Sequence, residues 1–359
     1  MFSTRQLLCC TALLLIGLSP LSAQEVCGLS DAQFENLLAN GFEDPNATSN
    51  QAVSAKSAPK QSPEPSPLRP LRIAAVPKSL KVAPTLTITS PANGASIPGG
   101  YLQVRGTFTG DSTVGISING VPAYIVGNAF VSPPITIAPS ATAGVEAIAT
   151  NLAGETATQS RSVDTTVVAP KVTLETTRGA TFRDLDIDFR VVLATEEALL
   201  GITLDFNNDG TPEFSGTDPA LAPQTFRYAA PGIYTARVTI TTSAGTASFD
   251  RQVAILDFEQ HRTRPCTLYG ILRDRLTLND VPGALMVFPQ EYRARYQTLF
   301  NALGANRPTM ATRLGTIANG VYGLNYAEIY VVFSENTVEK ATPLRVDQGT
   351  DGVWRIESL

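Results

Sequence analysis

Apolar residues change their period several times along this chain, and each change predicts a different kind of structure. An apolar run from Leu7 to Leu18 follows Arg5 and ends at Pro20 and Leu21-Ser22-Ala23. From Pro84 to about residue 256 the dominant period is two, the spacing that sends alternate side chains to opposite faces of a strand. Leu86-Thr87-Ile88-Thr89, Tyr101 to Phe108, Val114 to Ile118, Val145 to Ala149 and Thr156 to Val163 predict strands. Asn119-Gly120 between two of them is the signal for a type I′ hairpin. Asp184 to Phe189 alternates strictly, which predicts Leu185, Ile187 and Phe189 on the core side and Asp184, Asp186 and Asp188 on the other. After Pro265 the spacing becomes helical. Leu268, Ile271, Leu272, Arg275 and Leu276 predict a helix opened by Pro265 and stopped near Asn279-Asp280. Val281 to Met286 predicts a second helix, and Pro289 to Leu303 a third with Tyr292, Tyr296, Leu299 and Leu303 on one stripe and Gly304 as its stop. Strands follow over 315–322, 327–333, 338–346 and 352–357.

The opening run, with its charged, apolar and small-residue zones, is a secretory signal peptide over residues 1–23. It is shorter than the ~20 residues that span a bilayer, so the expectation is an exported chain, secreted or periplasmic, with no membrane span in its mature part. No lipid anchor is expected, because Val26 precedes Cys27 where a lipobox wants a small residue. Cys27 and Cys266 remain after cleavage, in a compartment where disulfides persist. Two readings stay open: a bridge between them, or two free thiols.

Charge divides the next stretch. Residues 24–50 carry five acids, Glu25, Asp31, Glu35, Glu43 and Asp44, with no Lys or Arg, whereas 51–83 carry six basic residues and one acid, Glu64. Pro59, Pro63, Pro65, Pro67, Pro70 and Pro77 fall among Ser, Ala and Lys, the composition of an extended linker. The predicted division is therefore an acidic segment and Pro-rich linker over 24–83, β units over 84–168 and 169–257, and an α+β unit over 258–359. Helices first and an antiparallel sheet afterwards give the last its class.

Three resemblances sharpen this. The Ser90-Pro91-Ala92-Asn93-Gly94 turn, Val104-Arg105-Gly106, the Ile118-Asn119-Gly120-Val121 hairpin and Asn151-Leu152-Ala153-Gly154-Glu155-Thr156 make the first β unit resemble bacterial immunoglobulin-like domains of surface proteins. The second resembles a polycystic kidney disease (PKD) domain through Leu204-Asp205-Phe206-Asn207-Asn208-Asp209-Gly210, Phe226 to Val238 with its Pro231-Gly232-Ile233-Tyr234 core, and the turn at Gly245. It departs from that family in having Leu204 for the usual tryptophan and one extra residue before Asp209. The last hundred residues resemble the nuclear transport factor 2-like cone fold through Leu276 to Leu285, Tyr296 to Gly304 and Asp351-Gly352-Val353-Trp354-Arg355-Ile356. The resemblances imply two all-β sandwiches followed by a cone with a curved antiparallel sheet. Asn40-Gly41-Phe42-Glu43 resembles a segment that follows the signal peptide in some secreted proteobacterial proteins.

The candidate chemistry is sparse. One histidine, His261, excludes a His-rich metal centre and the HExxH helix, and a formal net charge of −5 gives no electrostatic case for nucleic acid. Phosphate-cradling and nucleophile-elbow motifs are missing from the sequence. Asp205, Asn207, Asp209 and Glu213 offer oxygens at the alternate spacing that Ca²⁺ favours, with Gly210 where the loop must turn. Gly216 replaces the bidentate acid of an EF-hand, and a purely structural turn is the preferred reading. The three aspartates of 184–188 read as a solvated strand face. A cone implies a pocket, and Tyr269, Tyr292, Tyr296, Tyr330 and Trp354 are its candidate lining. His261 is expected before the first helix, close to the inter-domain junction and away from such a pocket.

These features predict a non-catalytic modular binding or scaffold protein, with sandwiches as spacers and the C-terminal unit, where six of the ten tyrosines lie, as the recognition module. Its partner would be a protein or glycan at the cell envelope; no cofactor is expected, Ca²⁺ apart. The alternatives are an exported enzyme of isomerase, dehydratase or hydrolase type with its site in the cone pocket, and a glycan-binding sandwich pair.

Overall fold

The computed structural model describes residues 82–358 apart from 99–100, 168, 223–224 and 336–337. The signal-like run, the acidic and Pro-rich stretches and Cys27 lie outside the described residues.

Period-two alternation yields two β-sandwiches built on one plan. In the first, a four-stranded sheet (Thr85–Ser90, Arg105–Thr109, Ala129–Val131, Tyr124–Val126, in spatial order) faces a five-stranded sheet (Ala95–Ser96, Thr156–Asp164, Ala143–Thr150, Gly115–Ile118, Val121–Pro122). In the second, a three-stranded sheet (Val172–Thr176, Asp186–Leu193, Thr225–Arg227) faces a five-stranded one (Ala180–Phe182, Gly245–Leu256, Gly232–Thr242, Leu199–Asp205, Phe214–Gly216). In both, the chain enters along one sheet and then crosses to pair in parallel with the last strand of the other: Ala95 with Val163, and Ala180 with Ala254. Val104, Ile116, Phe130 and Ala147 fill the first core, and Leu174, Leu204, Phe206 and Val238 the second. Asn119 and Gly120 both have positive φ (49° and 78°), as the type I′ hairpin requires. Tyr234 explains the Pro-Gly-x-Tyr piece: its hydroxyl donates to the Ala230 carbonyl at 3.0 Å and so ties the turn to the strand it feeds.

The alternation at 184–189 begins later than expected. Asp184 sits at φ 66° in a turn and Leu185 is 52 % exposed, so the strand starts at Asp186 and only Ile187 and Phe189 reach the core. A residue in the left-handed region breaks the pleat, and alternation carries no facing information across it.

The C-terminal unit opens with helix α1 (Phe258–Thr277), followed by α2 (Val281–Leu285), α3 (Gln290–Leu303) and α4 (Arg307–Arg313). They cover an antiparallel meander of four strands, Thr316–Tyr322, Tyr326–Glu335, Val338–Gln348 and Trp354–Ser358. Helix α1 starts seven residues before Pro265, and the proline lies inside it. Asp257 caps the helix by accepting from Glu259 N (2.9 Å) and Gln260 N (3.3 Å). With His261, Cys266, Leu268, Tyr269 and Leu272 buried along it, capping and packing together outweigh the roughly 3 kcal/mol an internal proline costs. The stripe on α3 is also rotated from expectation. Tyr296 and Phe300 are buried, whereas Leu299 is 50 % and Tyr292 37 % exposed, because the face is set by Phe288, whose ring stacks on Tyr296 at 3.8 Å. Helix α4 has only one buried residue, Ala311, and no apolar stripe announces it. No helix among the described residues is long and apolar enough to cross a membrane.

The three units do not stand in a row. The last strand of the second sandwich passes into α1 through the single residue Asp257, which leaves no linker to swing on. Leu152, at a turn of the first sandwich, is buried in the core of the C-terminal unit with Leu272, Val353 and Trp354. Gly115 and Gly352 bring two backbones together: a Cβ on Gly115 would collide with the carbonyl carbon of Gly352, and a Cβ on Gly352 with the Ile116 carbonyl. Gly352 is also held at φ 79°, where only glycine is at ease. Between the sandwiches, the Gln103 side-chain amide bonds both the N–H and the carbonyl of Gln252 at 2.9 Å. Val131, Ala180, Ala254 and Leu256 form a small shared core at the junction, with Leu324 of the C-terminal sheet packed against it.

Candidate functional site

The acidic loop of the second sandwich is assembled as its spacing suggests, but its oxygens are taken. Asp205 accepts from the amides of Asp209 (3.2 Å) and Gly210 (2.9 Å), Asn207 from Asp209 N (3.0 Å), Asp209 from Thr211 N (2.8 Å), and Glu213 from Phe206 N (2.8 Å). The Thr211 amide and the Asn207 side chain hold the Asp209 carboxyl below its ordinary range. Asn208 takes φ 57° and Gly210 φ 90°. The carboxylates thus fold the loop by replacing backbone acceptors in an Asx-type turn. The three strand aspartates are likewise engaged at the surface, Asp186 with Arg227 at 2.8 Å, Asp188 with the Thr177 hydroxyl at 3.1 Å and Asp184 with Arg183 at 3.4 Å.

Three of the five aromatic candidates, Tyr269, Tyr296 and Trp354, belong to one core cluster of the C-terminal unit, and Tyr292 and Tyr330 lie outside it. Tyr269 is buried and its hydroxyl donates to the Leu314 carbonyl. Tyr296 lies in the α3 stack. Tyr292 is partly exposed and bonds Glu357. Tyr330 alternates with the buried Ile329 and Val331, so it stands on the opposite face of the sheet from the core. Trp354 is buried against α1. Cys266, also on α1, is disulfide-bonded, and its partner is outside the described residues.

His261 is not before the first helix but in its first turn, buried between the second sandwich and the C-terminal sheet. Its ring meets Phe182 of the second sandwich and Trp354 of the C-terminal sheet edge-on, both at 5.1 Å. Its Nε2–H donates to the Gly323 carbonyl at 2.7 Å, which fixes the neutral tautomer. Burial, followed by the charge of Arg264, pulls its pKa down to about 4. One turn along, the Arg264 guanidinium lies over the Trp354 ring at 5.5 Å. Burial lowers its pKa to about 10, and it makes no ion pair among the described residues.

Arg264 opens into a cavity of about 390 Å³ at the seam between the first sandwich and α1. One wall is Phe108, Thr109, Asp111, Ser112 and Asn128 with Val114 and Ile125 beneath; the other is Gln260, Thr263, Arg264 and Thr267. Asp111 turns into its own wall, Oδ1 accepting from Thr113 N at 2.8 Å while Oδ2 is sealed from solvent. None of the five aromatic candidates and none of the acidic-loop residues lines this cavity. Sequence reasoning missed it because its walls lie about 150 residues apart; the one available signal was an arginine and two threonines at 263, 264 and 267, on successive turns of a helix otherwise rich in buried residues.

No family model matches the chain, and no curated protein matches it. Among solved structures, the fibronectin(III)-like modules of CbhA from Clostridium thermocellum align over 48 % of this chain and 94 % of theirs at 16 % identity and a TM-score of 0.17. A Bacteroides ovatus protein of a mixed-linkage glucan utilization locus, SGBP-B, solved with a mixed-linkage heptasaccharide, aligns over 48 % of this chain and 44 % of its own at 13 % identity and 0.18. Latent PorU from Porphyromonas gingivalis aligns over 51 % and 21 % at 9 % identity and 0.27. At these scores the matches assign neither a family nor a ligand.

Proposed function

We propose that this chain is an exported, non-catalytic binding protein whose docked head, carried on the Pro-rich segment, holds a recognition surface toward a protein or glycan of the cell envelope. In this reading the second sandwich is the spacer and brace, and the C-terminal unit presents the surface together with the first sandwich. The observation that carries it is how the reactive groups are used. The sole histidine is committed through Nε2 to Gly323 and enclosed by Phe182 and Trp354, and the acidic loop spends its carboxylates on its own amides. A general base must reach its substrate's proton, and neither group is placed to do so. Interlocking through Leu152 and the Gly115–Gly352 contact instead supports rigid presentation, which lowers the entropy lost on binding.

The test uses the full mature chain, labelled, on envelope fractions of the producing cell alongside a panel of glycosidase, esterase and isomerase substrates. Saturable retention without turnover is expected. Turnover that disappears on changing His261 or a tyrosine of the last hundred residues overturns the reading, as does retention that never saturates.

A further inference from the structure

The seam cavity is built in a way that a structural gap between two units does not require. Its volume, about 390 Å³, falls at the lower end of the ~300–1,000 Å³ of small-molecule sites. Its charge is uncompensated: Arg264 is half-buried and has neither a carboxylate nor a carbonyl partner among the described residues, only the Trp354 ring behind it. A guanidinium that has given up part of its hydration and has no anion beside it is free to take one, and its fork matches a carboxylate in bidentate fashion. The wall around it is made for hydroxyl groups. Thr263 and Thr267 give their protons to the Gln260 and Thr263 carbonyls at 2.7 and 3.0 Å, so their oxygens face outward as acceptors. Asn128, Gln260 and Ser112 have no side-chain partner among the described residues, and they supply donors from both walls. Phe108 adds an apolar side chain of the kind that sits against the C–H side of a ring, and Asp111 lines the first-sandwich wall with Oδ1 bonded to the Thr113 amide and hydroxyl and Oδ2 buried without a hydrogen-bond partner among the described residues.

We propose that the cavity between the first sandwich and α1 binds an acidic sugar unit, with Arg264 holding its carboxylate and Thr263, Thr267, Asn128 and Gln260 taking its hydroxyls. This rests on the binding reading above and names its ligand class. Both walls are needed, so the site exists only while the first sandwich and the C-terminal unit stay docked.

The probes are D-glucuronate and D-galacturonate, with D-glucose as the neutral control, titrated into the untagged full mature chain by calorimetry and by NMR of its one imidazole, which lies one turn from Arg264. At least one uronate is expected to bind saturably, more tightly than glucose, and to move the imidazole signal. Arg264→Met should weaken it by about tenfold to a hundredfold, the loss of a charged hydrogen-bonding partner. Should Arg264→Met not fold, Asn128→Asp on the exposed opposite wall places a repelling charge in the same cavity and should also weaken binding. Uronate binding that leaves the imidazole signal in place, equal binding by the folded variants, or no binding by the wild-type chain overturns the proposal. If envelope retention persists while uronates fail, only the ligand class is wrong; if retention fails as well, the binding reading falls with it.

Discussion

The acidic loop of the second sandwich and the cavity at the seam both concentrate polar groups, and they differ in who satisfies them. In the loop, Asp205, Asn207, Asp209 and Glu213 answer amides within eight residues of one another. At the seam, Arg264 and the amides of Asn128 and Gln260 come from units far apart in sequence and lack intramolecular partners among the described residues. A cluster visible in the sequence is short-range, and short-range clusters tend to be consumed by the turn that makes them. A site needs groups the fold leaves unspent, and these appear only when distant elements meet.

The comparison can be broken most forcefully at the seam. Gly115→Val drives a side chain into the Gly352 backbone, and we expect about 4 kcal/mol or more of lost stability, read by urea denaturation, together with loss of the cavity. Leu152→Ala removes a first-sandwich side chain from the C-terminal core and should cost about 2–5 kcal/mol, with both units melting earlier. A drop confined to the first sandwich would mean the interlock is not energetic.

Acid sharpens it next. Burial holds the His261 pKa in the folded chain at about 4, against an ordinary imidazole value of 6.5. Its contribution is therefore fully present above pH 6.5 and is lost as pH falls toward 4, because the unfolded chain takes up the proton first. The loss approaches about 3 kcal/mol, and His261→Phe should flatten this part of the stability–pH curve. Denaturation midpoints between pH 7 and pH 4 check it. At the loop, Asp205→Ala leaves the Asp209 and Gly210 amides without their acceptor and should cost about 1–2 kcal/mol. Millimolar Ca²⁺ should leave the melting temperature of the wild-type chain unchanged; a rise that Asp205→Ala abolishes would make the loop a metal site. The smallest effect is expected at Arg237, paired with Asp250 at 2.7 Å on an exposed strand face, where Arg237→Ala should change stability by well under about 1 kcal/mol.

The sandwich strands and their hairpin were legible because alternation and Asn119-Gly120 are local codes read without tertiary help. The third helix was legible as an element, but its buried face was not, since Phe288 lies outside the helix it orients. Pro265 misled because a proline is a local breaker, while the cap at Asp257 and the burial of Cys266 and Tyr269 are decided by the rest of the unit. Leu152 carried a faint signal, a large apolar residue at a turn that would ordinarily be polar; what it packs into was not readable. The seam cavity was invisible for the same reason that makes it a site: its halves belong to different units.

The most direct test of the docked head is equilibrium urea unfolding of the full chain, followed at once by the fluorescence of Trp354, the single tryptophan, and by hydrogen-exchange mass spectrometry of peptides from 84–164. The account predicts coincident transitions that Leu152→Ala shifts together. Two separate transitions, with the first sandwich unmoved by that substitution, would contradict it.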